Sequence, residues 1–494
     1  MSFDIKKWKV NNKIDRALEP YRGKIITRFA PEPSGSLHIG HCKAIFINYL
    51  IAKKYDGKFI LRLDDTNPET ESSDFEQGIL DDIKLLGITP NSVSRSSDYF
   101  DKLMTIADEL VNKGLVFVDN SSSEQIKQER DAMVDSINRN NVPSINKVLW
   151  EKMKRGDKTD SVLRIKLNMQ SPNGSLRDPT IFRSIDIHHQ HTKDKYKVYP
   201  TYDFACPLID SFEGVTHVYR SVEFADRDEQ YTDILKLVND IQKLTIAQLN
   251  GFGKVIFQKE VTSKRKIKAL IENGDVDGWD DPRLLTIKGA LRRGLCLDAL
   301  IDFTSSMGFS KNMVSMSTDK LWNLNKQYLE KISVRYTAFP KSNAVLFKID
   351  YNGYEKKEFG EVLKINRSLD KSMRNVYYND EVYLWDLDLQ SVVDGEEITL
   401  MNWGNAFIDM TTNTLKLHLD GNFKKTKNKL LWLPTNRVVD INILKYKKIG
   451  KPKTEKLYIA EDQILNTKKG DSIQLFKMNF FKCDSIDPLT LIII

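Results

Sequence analysis

Cysteine is scarce. The 494 residues contain four, Cys42, Cys206, Cys296 and Cys483. They are scattered and form no CxxC pair, which argues against a structural zinc site and against a disulfide framework. No apolar run approaches the roughly 20 residues that span a bilayer. The apolar ending Leu491–Ile494 is far too short. The opening MSFDIKKWKV has no long apolar core and is not rich in Arg and Ser, so neither a signal peptide nor a transit peptide is expected. A cytoplasmic protein is the expectation, with an organelle as the lesser alternative. Internal repeats and low-complexity tracts are also missing. Neither sign of charge dominates, with 75 Lys and Arg against 68 Asp and Glu and a net charge of +7. That mild excess is compatible with a polyanion partner but is weak alone.

At this length a single core is not expected, and two to four domains follow. Basic residues crowd 424–456, from Lys424 to Lys456. Taken alone they fit a solvated surface as well as phosphate contacts. Residues 24–30 (KIITRFA) have strand character and run into the turn PEPSG at 31–35. Residues 38–55 follow with helical periodicity, then the short strand FILRLDD at 59–65, which makes a βαβ unit. Residues 100–160 are mostly helical and charged. Residues 197–224 read as alternating strands and turns, and 266–325 as helical. From about 330, short alternating runs such as AVLFKI, EVYLWDL and TLKLHL predict an all-β region, with barrels as the expected form.

The chemistry-bearing signal lies in the turn PEPSGSLHIGH at 31–41. His38 and His41 fall three residues apart at a helix start, where free N–H groups and the helix dipole attract anions. Gly35 and Gly40 carry no side chain, so a nucleotide could approach the backbone closely. Two imidazoles there can donate hydrogen bonds to a phosphate whose charge grows in the transition state. Downstream, VTSKRK at 261–266 is an unremarkable basic turn alone. Together the two elements resemble the paired hallmarks of the class I aminoacyl-tRNA synthetases. In that family they flank ATP, and Lys264 matches the loop lysine that stabilises the α-phosphate as pyrophosphate leaves. Thr262 stands where Met or Leu is usual, and Lys254 where relatives usually carry Arg.

Further segments narrow the resemblance: LRLDDTNPE (61–69), RDPTIFR (177–183), YPTYDFACPLIDSFEGVTH (199–217), GWDDPR (278–283), MNWGN (401–405) and GDSIQL (470–475). They look like the glutamyl/glutaminyl branch in its eukaryotic and archaeal type, over nearly the whole chain from about residue 20. The resemblance implies ATP-dependent activation of L-glutamate and its transfer to the 3′ end of tRNA(Glu). Mg–ATP would be the nucleotide, with no protein-bound structural metal. Arg220 matches the position that carries Arg in glutamyl enzymes and a small uncharged residue in glutaminyl ones. A guanidinium pairs with a carboxylate through two parallel hydrogen bonds, whereas glutamine would leave that buried cation unpaired. By the same resemblance Arg28 faces the amino acid, Asp64 takes its ammonium group and Tyr202 meets its side chain. The implied ATP contacts are Glu32, Pro33, Ser34, His38, Gly40, His41, Lys43, Ser221, Lys254, Ser263, Lys264 and Arg265.

The implied fold is a Rossmann-like α/β catalytic domain over 23–99 and 200–265, after an N-terminal extension at 1–22. An inserted domain at 100–199 would bind the acceptor stem. A helical subdomain at 266–328 would lead to two anticodon-binding β-barrels over 329–494. With so few residues before the first strand, no N-terminal interaction module is expected. Neither membrane nor DNA is an expected partner, and a monomer is expected. Three alternatives stay open: a glutaminyl enzyme, a non-discriminating glutamyl enzyme, and an RNA-binding protein with a lapsed active site. A short paralogue that modifies tRNA without charging its end would lack the β tail.

Overall fold

The structure is a computed structural model that describes residues 12–157, 160–258, 260–365 and 371–494; the opening MSFDIKKWKV lies outside them. It divides into two compact units, one running to Lys264 and including Ile301–Ser317, the other made of Arg265–Leu300 and Thr318–Ile494. No helix among the described residues is long and apolar enough to cross a membrane.

In the first unit, α1 (Asn12–Leu18) precedes β1 (Ile26–Phe29), α2 (Ile39–Lys54), β2 (Lys58–Leu63), α3 (Ser73–Leu85) and β3 (Ser92–Arg95). The three strands are parallel and ordered β1-β2-β3. β1 buries three of its four residues, Thr27, Arg28 and Phe29, so its polar side chains need partners inside the protein. Pro31 and Pro33 then end the strand, because a proline nitrogen cannot donate to a ladder. α2 buries residues on nearly every side, from Ile39 to Ala52, so it is a helix enclosed by protein rather than a surface amphipath.

An excursion follows: α4 (Phe100–Asn112), β4 (Val116–Asp119), α5 (Ser123–Ala132), α6 (Pro143–Arg155), β5 (Val162–Ile165), β6 (Thr180–Ser184) and β7 (Val198–Pro200). Its four strands form one antiparallel sheet in chain order. Pro143 opens α6, where the missing N–H costs nothing, and Gly156 closes it in the left-handed region at φ 81°. Trp150 is fully buried here with Phe182 and Phe204, and its indole N–H donates to Asp108 at 2.7 Å.

The chain then returns through α7 (Tyr202–Phe212), β8 (His217–Ser221), α8 (Asp228–Asn239) and β9 (Gln248–Phe252). α7 corrects the expectation of strands and turns over 197–224. Phe204, Ala205, Leu208 and Ile209 are buried at helical spacing, and Pro207 sits inside the helix instead of ending it. β8 and β9 pair in parallel, and Thr216 ties β8 to β1: its N–H donates to the Ile26 carbonyl at 3.0 Å and its Oγ1 accepts from the Ile26 N–H at 2.9 Å. The strand order is thus 3-2-1-8-9, that of a doubly wound nucleotide-binding sheet, with the order reversing between β1 and β8. β10 (Val255–Phe257) and β11 (Val314–Met316) form a further parallel pair. α9 (Lys264–Glu272), α10 (Ile287–Arg293), α11 (Leu297–Ser306) and α12 (Asp319–Ile332) supply the helices expected over 266–325.

The second unit is mostly β-sheet, built on two seven-stranded sheets. In one, the outermost strands are Val334–Tyr336 and Ala338–Pro340; in the other, Lys429–Leu430 and Trp432–Pro434. In each case the two outermost strands are one residue apart in the chain, so each sheet curls until its edges meet at a single bent segment. This is the barrel form expected of the tail.

Candidate active site

The end of β1 and the start of α2 build a cradle of backbone and side chains. Ser34 N–H donates back to the Glu32 carbonyl at 2.9 Å, which tightens the turn. His38 is the N-cap of α2: its Nδ1 accepts from the Gly40 N–H at 3.0 Å, while His41 Nδ1 accepts from the His38 N–H at 3.1 Å. The two rings lie 3.7 Å apart between centroids. A side chain at Gly40 would put its Cβ 2.7 Å from His38 Cε1, so the ring folds back only because residue 40 is glycine.

Burial, reinforced by the nearby Lys264 and Lys254 charges, lowers His38 to about 4. Burial and the charges of His38 and Lys264 push His41 well down too. Both rings are therefore neutral near pH 7. With each Nδ1 already accepting, the proton of each sits on Nε2, and two neutral N–H donors remain for an anion. An unfolded chain would hold His38 near 6.5. The stability tied to this neutral ring is thus present above that pH and is lost as pH falls toward 4. An NMR titration of the seven histidines, with His38 assigned by difference against His38→Gln, is expected to give a midpoint near 4. A midpoint near the free value would show an open, solvated ring.

Lys264 reaches this cradle from 230 residues away, with Nζ donating to the Glu32 carbonyl at 3.0 Å and to Ser34 Oγ at 3.1 Å. A Cβ at Gly35 would stand 2.9 Å from Lys264 Cδ, so Gly35 clears the path for the lysine stem. Burial lowers the Lys264 ammonium from its ordinary value. The turn at 31–41 and Lys264 of the 261–266 segment, remote in sequence, meet in one place.

The neighbouring strand ends supply a second cluster. A cleft of about 470 Å³, open to solvent, is lined by Glu32, Asp64, Arg183, Tyr202, Phe224 and Arg227 among others. Asp64 follows β2; its N–H donates to the Pro31 carbonyl at 2.9 Å and its Oδ1 accepts from Ser96 Oγ at 3.0 Å. Burial raises its pKa. Next to it burial lifts Asp65 to about 6 and Glu71 to about 9. Arg28 is buried on β1 with Nε and Nη2 on Asp210 at 3.1 and 3.2 Å, and Nη2 also 3.3 Å from Cys206 Sγ. Arg220 is buried on β8 and held by Asp228. Tyr202 lies within the electrostatic reach of both guanidinium groups, although burial is the largest influence on its hydroxyl and pushes its pKa up.

Other expected contacts point elsewhere. Lys43 is buried and donates to the Gly253 carbonyl at 2.7 Å. Lys254 pairs with Glu223. Ser221 caps the 3-10 turn Val222–Arg227, accepting from the Glu223 N–H at 3.4 Å. Pro33 is buried, whereas Ser263 and Arg265 are exposed. Sequence reasoning missed the hub of the second cluster. Asp210 is fully buried and accepts from Arg28, from Arg62 at 2.7 Å and from the Tyr231 hydroxyl at 3.1 Å. Burial alone would raise its pKa, but the two arginines outweigh burial and keep it lowered and ionised. Arg62, inside the apolar run FILRL, was the available signal, since a buried cation requires a partner.

A profile described as "tRNA synthetases class I (E and Q), catalytic domain" matches residues 24–331, more than half of the chain. The chain belongs to this family. A companion profile, "tRNA synthetases class I (E and Q), anti-codon binding domain", matches 333–422, within the β-rich unit. Among curated class I synthetase relatives, "Probable glutamate--tRNA ligase, cytoplasmic" of Encephalitozoon cuniculi is 37% identical over 93% of this chain and 74% of its own length. "Glutamate--tRNA ligase, cytoplasmic" of Arabidopsis thaliana is 38% identical over 94% of this chain and 68% of its own length. A solved glutamate-tRNA synthetase of Elizabethkingia anophelis is 20% identical and covers 63% of this chain and 71% of its own, with a TM-score of 0.44.

Proposed function

We propose that this class I tRNA synthetase is a cytoplasmic glutamate–tRNA ligase. The observation that carries the amino-acid choice is Arg220, a buried guanidinium at the end of β8 beside the cleft. The names of the glutamate–tRNA ligase relatives support the same substrate. The substrates are L-glutamate, Mg–ATP and tRNA(Glu).

The glutamate α-carboxylate attacks the α-phosphorus of Mg–ATP and pyrophosphate leaves. A ribose hydroxyl of the terminal adenosine of tRNA then attacks the activated carbonyl and AMP leaves. No protein nucleophile is needed. Positioning and charge stabilisation supply the rate. His38 and His41 offer Nε2–H donors to the phosphates, and Lys264 brings a cation to the same place. Glu32, Pro33, Ser34 and Gly40 shape the turn that the nucleotide meets. Asp64 takes the α-ammonium, whose charge stabilises an aspartate that burial disfavours. Arg28, Tyr202 and Arg220 face the side-chain carboxylate. The excursion at 100–199 would grip the acceptor stem, and the barrels, with the basic stretch at 424–456, the anticodon arm.

The test is aminoacylation of total tRNA with labelled glutamate and, separately, labelled glutamine. Charging with glutamate alone is expected. Charging with glutamine would overturn the specificity while keeping the chemistry, and charging with neither would bring back the lapsed-enzyme alternative.

A further inference from the structure

Half of the Arg220 guanidinium is already engaged. Its Nε and Nη2 both donate to a single oxygen, Asp228 Oδ1, at 3.2 and 2.5 Å. The rings of Phe224 and Tyr231 lie 5.6 and 5.5 Å from its central carbon. The Tyr231 ring is itself anchored through its hydroxyl to Asp210 at 3.1 Å. The guanidinium plane is therefore fixed by two aromatic side chains and one carboxylate. Among the described residues Arg220 makes no other hydrogen bond, so Nη1 and the second proton of Nη2 are uncommitted. Those are the two parallel donors that a carboxylate takes. Asp228 stands outside the pocket, with its side chain 43% exposed against 7% for Arg220. It opens α8, where the positive end of the helix favours a carboxylate.

We propose that Asp228 is a positioning residue for substrate selection. It holds Arg220 by the Nε edge, so that the Nη1–Nη2 fork is presented to the side-chain carboxylate of the substrate. It also balances the cation while the pocket is empty, which avoids the cost of a buried unpaired charge. This rests on the placement of Arg220 in the glutamate pocket.

The experiment is steady-state aminoacylation by the whole 494-residue chain at saturating tRNA. Asp228→Asn keeps the shape and removes the charge. Its KM for glutamate is expected to rise about tenfold, with kcat and the KM for ATP within about twofold. Asp228→Glu, which restores the charge, is expected to recover part of that loss. In an Arg220→Ala background, Asp228→Asn is expected to add nothing, because Asp228 acts only through Arg220. An unchanged glutamate KM in Asp228→Asn, or an equal loss in both backgrounds, would overturn the proposal. If Arg220→Ala itself left the glutamate KM unchanged, the pocket assignment would fall first and Asp228 with it. Because Asp228 is partly exposed to solvent, its variants are expected to keep the thermal unfolding midpoint of the parent protein.

Discussion

Lys264→Met is expected to slow adenylate formation by roughly 10²–10³-fold, the usual loss when one preorganised donor to a developing charge is removed. The methionine keeps most of the stem that passes Gly35 and deletes only the ammonium. In the present geometry that ammonium is held by two oxygens of the turn, Glu32 carbonyl and Ser34 Oγ. Incoming phosphate oxygens would compete for the same protons while the cation stays in place. Pyrophosphate exchange measured with tRNA present reads the first chemical step. Affinity for tRNA is expected to change by less than about twofold, since it is spread over many phosphate contacts. Undiminished exchange would remove Lys264 from the chemistry.

Arg220→Cys is expected to lower kcat/KM for glutamate by about 10³-fold, close to 4 kcal/mol. Two effects add. The substrate carboxylate loses its bidentate partner, and Asp228 at the pocket's outer edge loses the cation that it pairs with. The proposed ATP contacts His38, His41 and Lys264 lie at the starts of α2 and α9, away from Arg220 on β8, so the KM for ATP should move by less than about threefold. Aminoacylation at varied glutamate and varied ATP separates the two. An unchanged preference for glutamate over glutamine would remove Arg220 from the pocket.

The sequence carried the local features well and the distant ones poorly. The βαβ unit at 24–65 and the β tail were legible because periodicity and turn residues act over a few positions. His38 and His41 were legible because their spacing and the helix start are local. α7 was misjudged because Pro207 signals a break, while the apolar spacing around it required a helix that tolerates one lost hydrogen bond. The engagement of Arg28 and Arg62 with Asp210, and of Lys264 with the turn at 32–34, crosses between 148 and 232 residues. No pattern within a window reveals which carboxylate a buried arginine will find. Arg220 and Asp228 are only eight residues apart, yet the pairing needed a strand end and a helix start to face each other.

The two curled sheets of the C-terminal unit bear on how this protein can hold another chain at all. An open sheet displays a row of unsatisfied peptide groups along its border, which any extended polypeptide can zip onto, whatever its sequence. Here the outermost segments span two or three residues and join head to tail. Such a border is too short to template a foreign strand. Recognition by the two curled sheets is left to side chains and loops, which read the identity of a partner rather than its backbone.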